Sequence, residues 1–120
     1  MKSDSKAIRS VLVNLDIKEV QHDPLLGTYF SAEEQAELST RHIRSTVGSL
    51  ALKRAVLHLL TKGKDSGLTE KDIVLGRRPN DRPVLLFLPD RPGLFRSNTL
   101  FLSISHTRST AYGLAVLQEG

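Results

Sequence analysis

Hydrophobic and polar residues alternate most clearly near the start of the chain. In Val11-Leu12-Val13-Asn14-Leu15-Asp16-Ile17, the residues Val11, Val13, Leu15 and Ile17 fall on one face of an extended segment, and Leu12, Asn14, Asp16 and Lys18 fall on the other. The pattern predicts a strand over 11–17 with Asp16 turned away from the apolar row. Asp23-Pro24 and Gly27 mark a loop. Ser31-Ala32-Glu33-Glu34 has the form of a capping box, in which the Ser31 hydroxyl accepts from the Glu34 amide and the Glu34 carboxylate reaches back. A helix should follow, to Thr40. From Ser45 to Lys62 the period becomes helical. Leu50, Val56, Leu57 and Leu60 recur at that spacing, Lys53, Arg54 and His58 interrupt it, and Gly63 is placed to end it.

The second half reads as strands. Asp72–Leu75 and Val84–Leu88 are joined by a turn from Gly76 to Pro83, and a Pro-rich loop follows. Thr99–His106 and Thr110–Leu117 are joined by a short turn over Thr107–Ser109, with Leu100, Leu102 and Ile104 facing the core. Strand, two helices and four strands make an α+β pattern, an antiparallel sheet with a long central helix. A single domain over 1–120 is expected, with residues 1–9 flexible.

Composition narrows the function classes. Apolar residues make up 39% of the chain, aromatics only 5%, and Trp is absent, so the core should be aliphatic and lean. Oligomerisation would add the missing burial. The absence of Cys excludes disulfides and thiolate metal sites. The longest apolar run, Val84 to Leu88, is too short to cross a bilayer, and the polar start carries no signal-peptide pattern, so a soluble cytoplasmic protein is expected. A net charge of +4 favours anionic partners. Arg77, Arg78, Arg82, Arg91 and Arg96 fall among prolines, which suggests basic loops rather than a nucleic-acid stripe with interleaved aromatics.

Five ordered local patterns resemble the 4′-phosphopantetheinyl transferase superfamily, in its short holo-acyl-carrier-protein-synthase form. They are Asn14-Leu15-Asp16-Ile17-Lys18-Glu19-Val20, Phe30-Ser31-Ala32-Glu33-Glu34, the helix Val47 to Leu59, then Asp72-Ile73-Val74-Leu75 with Asp81-Arg82-Pro83, and last Ser103-Ile104-Ser105-His106-Thr107 followed by Ala111 to Val116. They span residues 10–117, and Ser103 to Thr107 is the sharpest. The resemblance implies transfer of 4′-phosphopantetheine from coenzyme A to a serine of an acyl or peptidyl carrier protein. It also implies a magnesium ion held by carboxylates, and trimers with sites shared between neighbouring subunits.

On that resemblance Asp16 is the first metal carboxylate; read from the residues alone, it is an exposed strand-end or helix-capping Asp. Lys53 corresponds to a helix lysine near the transferred phosphate, and is otherwise a solvated helix cation. The second metal carboxylate would stand where this chain has Arg54, the helix arginine where it has Ser49, and a second helix lysine where it has His58. Arg54 then either clamps the pyrophosphate itself or pairs with Asp16 in an inactive fold. The attraction of such a pair is about 4 kcal/mol at 4 Å and an effective dielectric of 20. Glu19 or Glu34 remain as substitute ligands, although alternation sets Glu19 opposite Asp16. His58 binds phosphate when protonated, or is a partly buried structural residue. Ser105, His106 and Thr107 would lie by the coenzyme A nucleotide, with a core-edge role as the alternative for His106. Arg82 and Pro83 would line the turn along that nucleotide, and Arg77 and Arg78 would add phosphate contacts, face an acidic carrier helix, or simply be solvated. The functions in play are an active transferase, a noncatalytic member that binds coenzyme A or carrier protein, a structural oligomer and, on charge alone, a small nucleic-acid-binding domain.

Overall fold

Alternation in the first strand extends beyond its expected limits. The computed structural model describes residues 7–62, 67–78, 82–87 and 98–119. In it β1 runs Ile8–Asp16, with Arg9, Val11, Val13 and Leu15 half-buried and the residues between them exposed. Ile17 does not continue the strand. It opens a short helix α1 (Ile17–Gln21) because the Asp16 carboxylate accepts from the Glu19 amide at 2.9 Å, which fixes Asp16 as the N-cap. Glu19 therefore does not lie on the opposite strand face, since no strand reaches it.

A 3₁₀ turn (Leu26–Tyr29) leads to α2 (Ala32–Leu38), whose capping box forms as expected. The long helix α3 covers Ile43–Thr61. It ends on Lys62, which takes the left-handed conformation itself at φ 56°; Gly63, the expected terminator, lies outside the described residues. Arg9 Nη1 donates to the Leu59 carbonyl at 3.1 Å and Thr61 Oγ1 to that of Leu57 at 2.8 Å, so this end is supplied with donors.

Strand β2 is Val74–Arg77, two residues later than expected, because Asp72 closes a 3₁₀ turn (Glu70–Asp72) by accepting from the Thr69 amide at 2.8 Å. Gly76, expected in a turn, pairs with Val84 inside the ladder to β3 (Pro83–Phe87). The Arg78 amide donates to the Arg82 carbonyl at 2.9 Å where that hairpin closes. Strands β4 (Asn98–His106) and β5 (Thr110–Glu119) match the expected pair closely. The strands form two antiparallel sheets, one of order β1-β5-β4 and one of β2-β3. The Pro-rich segment and Leu88 lie outside the described residues.

Helix α3 crosses the inner face of the larger sheet, and seven consecutive residues, Val47 to Lys53, are buried on it. A helix covered on so many sides needs apolar residues around its circumference rather than along one stripe. Leu52, Ala55, Val56 and Leu59 pack with Ile73, Leu75, Ala115 and Leu117, and Ile17 joins Val47 and Ala111 in a second cluster. Contact is closest at Gly113, where an added Cβ would overlap the α3 backbone at Ala51 and Leu52. Because that obstacle is backbone in the middle of the core, it cannot swing aside. Gly113→Ala is therefore expected to destabilise by about 3 kcal/mol or more, at the upper end of overpacking effects. Urea denaturation checks this, and a loss under about 1 kcal/mol would mean that α3 shifts freely on the sheet.

Candidate functional site

The residues singled out by sequence do not all fall in one place. His106, Arg82 and Pro83 come together. They line a cleft of about 490 Å³ between the β2–β3 hairpin and the end of β4, together with Arg77, Ser45 and Ser103. His106 reaches it because its register partner is Ala111, a buried position, so the imidazole lies on the helix side of the sheet where the sheet runs out. Ser105 alternates to the opposite face beside Tyr112 and does not line this cleft. Thr107 serves the turn. Its amide donates to the Thr110 carbonyl at 2.8 Å, and its hydroxyl accepts from the Ser109 and Thr110 amides at 3.3 and 3.1 Å.

Asp16 lies at the same end of the sheet, paired in register with Thr110, two strand spacings or about 10 Å from the β4 edge. His58 lies at the other end, exposed beside Arg9 and Lys62. Thirteen helical residues separate it from Ser45, about 20 Å, so it does not share the cleft.

Lys53 is neither solvated nor open to a ligand. It is fully buried, with Nζ 2.6 Å from Glu34 Oε1 and 4.7 Å from the centre of the Phe30 ring. Glu34 Oε1 also accepts from the Ser31 amide and Oε2 from the Leu75 amide, each at 2.9 Å. Every role of this carboxylate is structural, which removes Glu34 as a substitute metal ligand. Burial pushes the Lys53 ammonium below its usual range, against the opposing hydrogen bond and charge of Glu34.

Arg54 does not pair with Asp16. Its Nε donates to Glu70 Oε2 at 3.0 Å and its guanidinium lies 5.1 Å from the centre of the Tyr29 ring, which ties the two 3₁₀ turns to α3. Tyr29 in turn donates to Asp23 Oδ2 at 3.2 Å. Among the described residues no three His, Cys, Asp or Glu side chains converge as a metal site. With Arg54 at the helix position and Asp16 engaged as a cap, the residues do not fit a protein-held magnesium ion.

Sequence reasoning missed a second concavity, of about 820 Å³, where α1 meets the start of α3. Lys18, His22, His42, Arg44 and Arg108 surround it. Its cations are spread over three chain segments, so only the fold gathers them. The partner of Arg54 was also missed, although Thr69-x-x-Asp72 carries the signature of the turn that presents Glu70.

Known structures share this fold. Over 91% of this chain and 99% of the other, it superposes on the Helicobacter pylori holo-acyl-carrier-protein synthase in complex with coenzyme A, with a TM-score of 0.76 and 22% identity. The Chronobacterium ammoniagenes synthase in complex with coenzyme A gives a TM-score of 0.77 at 19% identity, over 95% and 98% of the two chains. The Bacillus anthracis synthase, in complex with coenzyme A (3′,5′-ADP), gives 0.72 at 15% identity, over 97% and 100%. No family model and no curated protein matches the sequence. This chain therefore has the fold of these holo-acyl-carrier-protein synthases.

The buried pair allows a quantitative expectation. Lys53→Met leaves an uncompensated carboxylate in the core and should cost about 3–5 kcal/mol in urea denaturation. The lowered Lys53 pKa means that the folded state releases this proton before the unfolded chain does. Unfolding then takes up a proton below 10.5, the ordinary lysine value, and stability gains as pH rises through that window. Relative to Lys53→Met, the unaltered protein should gain stability as pH rises toward 10.5. A difference that shrinks over that range would contradict the direction of the shift.

Proposed function

We propose that this chain transfers 4′-phosphopantetheine from coenzyme A to a serine of an acyl carrier protein. The cleft that gathers Arg82 and His106 beside Pro83, in a fold shared over nearly its whole length with synthases solved in complex with coenzyme A, is the observation that carries this reading. In the reaction the serine oxygen bonds to the β-phosphorus, the bond from that phosphorus to the bridging oxygen breaks, 3′,5′-ADP leaves with the electron pair, and the hydroxyl proton passes to solvent water. Charge grows on the leaving phosphate. Arg82 and, when protonated, His106 supply compensation from opposite walls of the cleft. No step is assigned to magnesium, because the donor set does not hold it.

The cationic concavity around Lys18, His22, Arg44 and Arg108 supports docking of an acidic carrier at α1. A homotrimer has support of its own. The outer face of the larger sheet exposes Ile8 (66%), Leu12 (62%) and Phe101 (55%), and these belong to all but the central strand. An apolar face of this kind calls for a covering surface, and second copies of the chain supply one. A second reading, a noncatalytic binder of coenzyme A or carrier protein, is favoured by the complete burial of Lys53 and by the Arg54–Glu70 pair at the position of the helix carboxylate.

The deciding experiment incubates the protein with coenzyme A and an apo-carrier protein, with and without magnesium, and weighs the carrier by mass spectrometry. We expect one phosphopantetheine added per carrier, lost in His106→Ala and Arg82→Ala. Coenzyme A that raises the melting temperature without any mass gain would establish the noncatalytic reading instead. For the assembly, light scattering at micromolar concentration should give a trimer that Leu12→Glu disrupts. A monomeric unaltered protein would remove the trimer.

A further inference from the structure

Ser49 is a polar side chain in the most apolar part of α3, between buried Gly48 and Leu50, and it is only 5% exposed. Hydroxyls in such positions need a partner, since an unsatisfied one is costly. The partner is Arg77 at the end of β2, whose Nη2 donates to Ser49 Oγ at 3.4 Å. Arg77 also forms part of two concavities. One is the shallow cavity beneath α2, with Glu33 and Glu37. The other is the cleft that holds Arg82 and His106. Arg77 therefore separates an acidic wall from a cationic cleft, on a strand fixed to the core through the Leu75 amide and Glu34.

We propose that Arg77 binds a phosphate oxygen of the ligand in this cleft, and that Ser49 on α3 is a residue that positions its guanidinium. The proposal rests on the reading of the cleft as a phosphate site. A guanidinium carries five N–H groups in one plane, and Ser49 accepts from one of them, which sets the plane in which the others point. Two guanidiniums and an imidazole from three segments, Arg77 on β2, Arg82 on the hairpin and His106 at the end of β4, then surround one ligand. The contact geometry also ranks the two residues. At 3.4 Å the Ser49 bond is long and contributes modestly, whereas an arginine–phosphate contact is charge-assisted.

The test is calorimetric titration of 3′,5′-ADP into the full chain and four variants, with the melting temperature of each recorded without ligand. Arg77→Ala should weaken binding roughly tenfold or more. Arg77→Lys keeps the charge but not the fork and should weaken it about threefold. Ser49→Ala should cost about threefold alone and nothing further in an Arg77→Ala background, a coupling that a merely structural role for Ser49 would not produce. Lys71→Ala, which removes an equal charge from an exposed turn, should stay within about twofold. If Arg77→Ala and Arg77→Lys both bind within about twofold of the unaltered protein while Arg82→Ala is weakened, the role of Arg77 is overturned and the cleft stands as a phosphate site. If the unaltered protein binds no 3′,5′-ADP at millimolar concentration, both fall.

Discussion

A desolvated charge pair organises the helices around the site. Lys53 and Glu34 are both buried, and neither charge is tolerable there alone, because the cost of removing an ion from water is recovered only when its partner stands at contact distance. The pair therefore acts as a strict distance restraint between α2 and α3. Glu34 extends that restraint in two directions, to the first turn of its own helix through the Ser31 amide and to β2 through the Leu75 amide. Once Leu75 is placed, Gly76 and Arg77 follow on the same strand, and the hairpin carries Arg82 to the cleft. A restraint in the core thus sets the position of surface cations.

The same geometry explains why residues adjacent in sequence have unlike fates. Lys53 and Arg54 are successive on α3, so they point about 100° apart. Lys53 meets the interior and Glu34. Arg54, half-buried, meets Glu70 and the face of Tyr29. The arginine at this helix position holds two 3₁₀ turns together, a use that suits its flat guanidinium, which stacks and bonds at once. The cationic cleft gathers its charges elsewhere, from strands and a hairpin.

What could be read from sequence was local. The Ser31 capping box, the inward row Val11, Val13 and Leu15, and the β4–β5 hairpin each depend on residues a few positions apart, and each formed as expected. The start of α1 was equally local but hidden, because strand alternation through Ile17 competed with an Asp16 cap and the cap prevailed. Likewise Asp72 was claimed by a strand pattern and taken by a turn. The long-range partners were not legible. Nothing near Lys53 indicates that its counter-ion comes nineteen residues earlier, and nothing near Ser49 indicates an arginine twenty-eight residues later. The candidate site was half visible for this reason. The motif around His106 and the Arg82-Pro83 pair pointed to the cleft, while His58, Ser105 and Thr107, drawn in by the same resemblance, are placed by helix length, strand alternation and turn bonding away from it or at other work.

The central position of β5 has a kinetic side. The strand lies between β4, joined to it by a short turn, and β1, which comes about a hundred residues earlier. The β4–β5 hairpin closes a small loop and can form on the microsecond scale, whereas β1 must wait for a large loop to close against it. During synthesis β1 leaves the ribosome first and finds its neighbour last. Until then its apolar row and backbone edge are open to other chains, and the span of synthesis between the two strands is the interval in which this protein is most exposed to misassembly.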